Sequence, residues 1–331
     1  MSAVGRGAVG AWVALARPRL LIPVLALVGL GFGWAHWDRA LPLTGGGALL
    51  RVLGAWTLLH AGTLWLNAEL DRDEGEVLGG RAVPVPPGTS ALGFLALALG
   101  VGVAVWAGAL AAGAALLSAL LAVAYSHPRL AWKGHPVGGP AVNLLGYGLL
   151  TPLAGWSVVG VAPDLRTLAV LPVVLAGIGG CYLTAQAFQG AEDRARGYRT
   201  LVATHGAGVV LAGARGAFAA GWLGLAALCL LGWLPAPLLL ALPGGLAVDA
   251  ALARWARAGG GTVEDAAVVG RRLAWSTLAV LLLATGAHVV SSLSGGPPAG
   301  LATSAGLPPD RPVVPAWRLM RAHRAGEGLT P

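Results

Sequence analysis

The sequence predicts an all-α fold, a polytopic membrane protein built as a nine-transmembrane-helix bundle with a central cavity opening to the cytoplasmic side. Three observations carry this. With 56% hydrophobic and 11% charged residues over 331 positions, and a mean hydropathy of +0.73, the chain is too apolar for a water-soluble domain. Its apolar residues come in tracts of about twenty, the length that crosses a hydrocarbon layer. Basic residues collect on alternate loops between the tracts, and two loops on that same side are rich in acids.

Nine tracts meet the length criterion: 20–37, 48–66, 91–110, 111–125, 138–159, 168–188, 208–231, 237–253 and 273–292. The first follows Arg6, Arg17 and Arg19 as a secretory signal would. It is long and lacks a small-residue cleavage site, so it reads as a retained span behind a cytoplasmic segment, 1–19. Residues 91–125 are one unbroken apolar tract, nearly twice a crossing, so a tight turn is expected between Gly108 and Gly113. The nine-span domain covers 20–292; beyond it, 293–331 is rich in Pro, Gly and Ala without helical periodicity and reads as a disordered tail.

With the N-terminus inside, the inner segments hold fourteen Lys and Arg, against Arg39, Arg51 and Arg166 on the outer side. That asymmetry favours a cytoplasmic N-terminus in a bacterial inner membrane, with the C-terminus and its Arg311, Arg318, Arg321 and Arg324 outside. The net charge of +8 is spread over span ends, which fits topology and anionic membrane lipid rather than nucleic acid. Cys181 and Cys229 sit in apolar runs without partner spacing, so neither a disulfide nor a zinc site is indicated. Arg215, within the seventh tract, must snorkel inward or line the cavity, and Asp249, in the eighth, must reach solvent or a neighbouring Arg.

Gly, Ala, Pro and Arg abound while Lys133 is the sole lysine, so the 52 glycines say little and the rare amides say more. Asn occurs only at Asn67 and Asn143, Gln only at Gln186 and Gln189, and three of these four lie at two acid-rich loops. The first loop holds five of the fourteen acids, Glu69, Asp71, Asp73, Glu74 and Glu76. On a helix, residues four apart share a face, so Asn67, Asp71 and Gly75 form one stripe, with Glu74 beside it. In the second loop Gln189 and Asp193 are again four apart, with Gln186 one turn earlier. Such oxygen-rich stripes suit Mg²⁺ shared between a few carboxylates and a phosphate. Arg81, Arg129, Lys133, Arg194 and Arg199 are the cations near enough in sequence to bind phosphate oxygens, as are His127 and His135 beside Lys133.

These residues resemble the signatures of the UbiA-type intramembrane prenyltransferases. The first is met by Asn67, Asp71, Gly75 and Arg81 followed by Pro84. The second is met by Gln189, Asp193, Arg194, Gly197, Thr200, Leu201 and Gly206. Between them stands a Tyr125-Ser126 step before Lys133, and Arg17-Pro18 opens the first span. The resemblance spans about 17–292. It implies a nine-helix bundle that transfers a prenyl group from a prenyl diphosphate to a lipophilic, often aromatic, acceptor, with Mg²⁺ as cofactor. On it, Asp71, Glu74 and Asp193 ligate the metal, and Asp71, Asp193, Lys133 and Arg81 are catalytic. Asn67, Arg194, Tyr125, Gln189, Arg129 and Asn143 contact substrate. Two departures stand out: Gly75 and Gln189 occupy positions where the family has acids. Glu74 or Glu76 can supply the first by a one-residue shift, and Glu192 the second if it turns inward. The alternative that keeps the fold is a prenyl-lipid binding or accessory protein without turnover. A transporter would show repeated halves, which the sequence lacks. The acceptor stays open among quinone precursors, pigment rings, haem and lipid alcohols.

Overall fold

The computed structural model describes residues 7–36, 45–71, 76–77, 80–81, 83–259 and 262–293, and for 71, 76–77, 80–81 and 291–293 the backbone alone. The 293–331 tail lies outside them apart from its first residue.

Two helices, α1 (Ala8–Leu15) and α2 (Pro18–His36), meet at Arg17, whose positive φ of 46° turns the chain between them. Pro18 starts α2, where a missing N–H breaks no helical hydrogen bond. The sequence reading did not resolve α1 within 1–19. Its Trp12 ring N–H donates to Thr89 Oγ1 at 3.0 Å, and Trp65 Nε1 donates to the Trp12 carbonyl at 2.8 Å.

Helix α3 (Gly46–Asp71) continues past the predicted span end to reach Asp71. Two-residue strands β1 (Glu76–Val77) and β2 (Gly80–Arg81) then pair antiparallel, Glu76 opposite Arg81. This is the one departure from an all-helical fold among the described residues. Helices α4 (Thr89–Val105) and α5 (Ala109–Ser126) are separated by a turn at Gly108, whose φ of 136° is open to glycine alone. The long apolar tract therefore breaks where expected.

The fifth tract is not one α-helix: α6 (Gly138–Asn143) passes through a π-helical turn (Leu144–Leu150) into α7 (Thr151–Ser157). Thr151 Oγ1 donates to the Gly146 carbonyl five residues back at 2.8 Å and accepts from Trp56 Nε1 at 2.9 Å. A side chain inserted into the backbone ladder in this way holds the wider turn open. Then come α8 (Leu165–Gln186), the short α9 (Gly190–Ala195) and α10 (Leu201–Leu230). A 3₁₀ turn (Ala236–Ala241) leads to α11 (Leu242–Arg257), and α12 (Val263–Leu293) ends the described chain. Helix α10 begins at Leu201 rather than 208 because Thr200 caps it, accepting from Ala203 N at 3.3 Å. It continues through a break at Gly206 (φ 82°, ψ 164°).

Among the described residues, seven stretches are long and apolar enough to cross a membrane: α2, α3, α5, α8, α10, Ala236–Arg257 and α12. The third and fifth tracts are helical too, but α4 has only 17 residues and the fifth is divided by its π turn. The expected count of nine crossings is thus met at seven.

Glycine sets how closely the bundle packs. Where α2 crosses α7, a Cβ on Gly31 would lie 1.8 Å from the Pro152 carbonyl oxygen, and one on Gly155 would lie 1.9 Å from that of Val28. Backbone meets backbone there, and no side chain is available to yield. Gly31→Ala is expected to cost about 3 kcal/mol or more, the upper end for overpacking, because α2 and α7 must separate. Gly33→Ala, with open space around it, is expected to be neutral. Unfolding midpoints of the two variants in detergent, compared with the parent, check this; equal midpoints would refute the close crossing.

The two charges inside the seventh and eighth tracts find each other. Arg215 Nε and Nη2 donate to Asp249 Oδ1 and Oδ2 at 2.6 and 3.1 Å, a two-pronged bridge from α10 to α11. Each neutralises the other where an unpaired charge would be costly.

Candidate functional site

The ends of α3, α5 and α8, with the segments that follow α5 and α8, meet on one side of the bundle. Helix α5 ends in Tyr125-Ser126, and successive residues on a helix point about 100° apart. Ser126 therefore faces α3, its Oγ donating to Asn67 Oδ1 at 3.2 Å. Tyr125 faces away from α3, with its hydroxyl in reach of Asn143 and its ring near Tyr147 and Asp193. This dipeptide step joins the first signature to the second.

Asp193 is buried, with 9% of its surface exposed, on α9. Its Oδ2 accepts from Thr200 Oγ1 at 2.5 Å, and its carbonyl accepts from Tyr198 N at 2.8 Å. Burial pushes the Asp193 carboxyl above the ordinary carboxylate range. The Thr200 hydrogen bond and the charges of Arg196, Lys133 and Arg194 offset that only in part. Lys133 sits in a 3₁₀ turn (Trp132–Gly134) entered through Ala131, itself at a positive φ of 43°. Arg199 N donates to the Gly134 carbonyl at 2.9 Å, binding this turn to the second loop. The Lys133 ammonium lies 5.7 Å from the centre of the Tyr198 ring. Burial, then the neighbouring Arg196 charge, lowers the Lys133 amine to about 8, against the pull of Asp193 and Glu192.

Of the predicted site residues, Tyr125, Lys133, Asn143 and Asp193 are brought together, and Asn67 is joined to them through Ser126, the neighbour of Tyr125 along the chain. Asn143 also donates to the Gly139 carbonyl at 2.9 Å. Gln189 stands at the N-terminus of α9 without a capping hydrogen bond from its side chain, one turn before Asp193. Arg194 is exposed and folds back along α9 toward Gly190. Arg129 is exposed on the turn after α5, and no contact joins its side chain to this group among the described residues. Glu74 and Gly75 lie outside the described residues; Asp71 is placed by its backbone as the last residue of α3, and Arg81 likewise in β2.

Four side chains near the site have partners of their own. Glu192 does not turn inward to replace an acid at 189, because its Oε1 pairs with Arg196 Nη2 at 2.6 Å. His127 and His135 build turns, their Nδ1 atoms accepting the backbone N–H of Arg129 at 3.2 Å and of Gly138 at 3.1 Å. Glu69, one of the five clustered acids, accepts from Ser90 N and so satisfies a free N–H at the start of α4.

For a hard cation the donors fit at one arm. Asp193 offers a carboxylate whose Oδ1 has no hydrogen-bond partner among the described residues, in a setting where positive charge relieves desolvation. No group of three or more His, Cys, Asp or Glu converges among the described residues, so any remaining ligands must come from the first loop, from a diphosphate or from water.

A family model, the UbiA prenyltransferase family, matches residues 20–276, which takes in all the helices and loops just described. The chain belongs to the UbiA prenyltransferase family. No curated protein matches it. Among solved structures, a UbiA homologue from Archaeoglobus fulgidus bound to DMAPP and Mg²⁺ is 16% identical with a TM-score of 0.58, covering 83% of this chain and 99% of that one. The same homologue bound to GPP and Mg²⁺ aligns equally well, at 16% and 0.58. A digeranylgeranylglyceryl phosphate synthase is 16% identical with a TM-score of 0.59, covering 87% and 99%. At such identities the likeness establishes the UbiA-type fold.

Within this UbiA-family site the sequence reading missed the tyrosines as a group. The chain has four, and Tyr125, Tyr147, Tyr182 and Tyr198 all stand around Asp193 or around one another. Tyr182 fits because Gly139 has no side chain: a Cβ there would lie 2.3 Å from the Tyr182 hydroxyl oxygen, which accepts from Gln186 Nε2 at 2.6 Å. The rarity argument that singled out the amides applies equally to tyrosine and would have found them.

Proposed function

We propose that this protein is a membrane-embedded, Mg²⁺-dependent prenyltransferase moving a prenyl group from a prenyl diphosphate to a lipophilic acceptor. The observation that carries this is the convergence of Tyr125, Lys133 and Asp193, with Asn67 bonded to the neighbouring Ser126, at one end of an apolar bundle. A carboxylate and a cation beside a greasy interior match a substrate with a diphosphate head and a hydrocarbon tail. The Archaeoglobus fulgidus homologue holds DMAPP or GPP with Mg²⁺.

Asp193, with Asp71 and Glu74 of the first loop, holds the metal, and Asn67 steadies the first-loop side. Bound Mg²⁺ supplies positive charge to the diphosphate as a leaving group. Lys133, Arg81 and Arg194 take up the negative charge that grows as the allylic carbon–oxygen bond breaks. The tail lies in the apolar bundle, which excludes the water that would trap the carbocation. Tyr125 and Asn143 orient the acceptor, whose carbon or oxygen attacks and then loses a proton. In this reading α4 and the α6–α7 stretch also cross, giving nine crossings, with the N-terminus and the cavity mouth on the cytoplasmic side of a bacterial inner membrane. The basic loops after α5 and α8 support that orientation.

A second reading has one observation in its favour. With Glu192 committed to Arg196 and Gln189 uncharged, the second loop offers one carboxylate, which suits a protein that binds prenyl lipid without turnover. Membranes carrying the protein, given labelled prenyl diphosphates and an acceptor panel with and without Mg²⁺, separate the two. Metal-dependent transfer supports the enzyme, saturable binding without transfer supports the alternative, and neither excludes both.

A further inference from the structure

We infer that Tyr198 is a positioning residue: its ring holds the Lys133 ammonium toward the Asp193 side of the site, where it meets the diphosphate. The inference rests on the proposed function for its ligand, but its geometry stands without it. The Tyr198 ring is held from two sides. Its backbone N–H donates to the Asp193 carbonyl, and the next residue, Arg199, donates to the Gly134 carbonyl at 2.9 Å, so the ring is fixed where the two loops join. The ring also lies on the bare α-carbon of Gly134, where a Cβ would come within 2.6 Å of Cδ1. The Lys133 ammonium then stands 5.7 Å from the ring centre, within range of the negative face of the π system.

A lysine head is a compact charge on a flexible stem, and it aims only if something holds it. At this position Arg196 pushes the ammonium away while Asp193 and Glu192 attract it. The Tyr198 ring face gives it a resting place on the Asp193 side of the site.

Lys133 is the chain's sole lysine, which permits a test on the whole protein. Reductive ¹³C-methylation places one side-chain dimethylammonium probe, at Lys133. Its resonance is expected to be ring-current shifted in the parent and in Tyr198→Phe, and to return to the free-lysine position in Tyr198→Leu. An identical resonance in parent and Tyr198→Leu overturns the inference whether or not the protein binds a prenyl diphosphate.

Affinity for geranyl S-thiolodiphosphate with Mg²⁺ supplies the second arm. Tyr198→Phe is expected to bind within about twofold of the parent and Tyr198→Leu roughly fivefold more weakly. In a Lys133→Met background Tyr198→Leu should add nothing, since the ring acts through the lysine. Full additivity in that cycle overturns the inference. If Tyr198→Leu fails to fold, phenylalanines of increasing fluorination at 198 keep the shape and drain the ring face. Stepwise loss of affinity supports the inference, and a flat series overturns it. Absence of binding by the parent itself counts against the proposed function, and the resonance then decides the inference.

Discussion

Alanine at Asp193 is expected to lower prenyl transfer by roughly 10²–10³-fold, the scale of losing one charge-stabilising group at a leaving diphosphate. Asp193→Asn should lose nearly as much although it can still accept from Thr200 Oγ1, because the charge and not the hydrogen bond is what a metal-bound diphosphate requires. Rates with labelled prenyl diphosphate over a Mg²⁺ titration check this. Both variants should need more Mg²⁺ as well as turning over more slowly, and unchanged metal-dependent transfer in Asp193→Ala would remove Asp193 from the site. The pH dependence has a definite sign. Burial raises the Asp193 carboxyl, so the ionised form is lost at a higher pH than for a free aspartate as the medium is acidified. At limiting Mg²⁺ the acidic limb of the kcat/KM profile should therefore lie above the usual carboxylate range, since bound metal would hold the carboxylate ionised.

Lys133→Met is expected to cost about 10²-fold in kcat/KM for the prenyl diphosphate, and it carries the alkaline limb. The Lys133 amine lies at about 8 instead of 10.5, so the parent's kcat/KM should fall as pH rises through about 8, where the ammonium discharges. Lys133→Arg keeps a charge throughout and should lose that limb. The sign for stability is opposite. A folded-state value below the unfolded one makes the charged lysine a cost to the fold below pH of about 8. That cost is relieved as pH rises from about 8 toward 10.5. A parent profile with no break near 8, or a Lys133→Arg profile that keeps one, would show that another group controls the alkaline side.

Much of the scaffold was legible because a bilayer imposes one dimension on the sequence. A chain crossing hydrocarbon must satisfy its backbone within each segment and keep that segment apolar. The break in the thirty-five-residue apolar tract at Gly108 followed from length alone, and the joining of Asn67 and Asp71 to α3 followed from helical spacing. Local backbone chemistry blurred the rest. Thr151 opens a π turn in the fifth tract by bonding five residues back, and Thr200 starts α10 ahead of its apolar run. Hydropathy registers neither.

The site divided in the same way. By itself the sequence determined which residue types were available and which loops carried them; rarity marked Asn67, Gln186 and Gln189, and four-residue spacing marked Asp71 and Asp193 before any geometry was known. It could not determine partners, because a side chain's role depends on what stands opposite it in space. Only the tertiary structure committed Glu69 to the head of α4, and only it tied Arg215 to Asp249. Only the tertiary structure, likewise, stacked Tyr198 on Gly134 beneath Lys133. Charge pairing and ring stacking act over a few ångströms between residues tens of positions apart, whereas composition and periodicity report on neighbours along the chain.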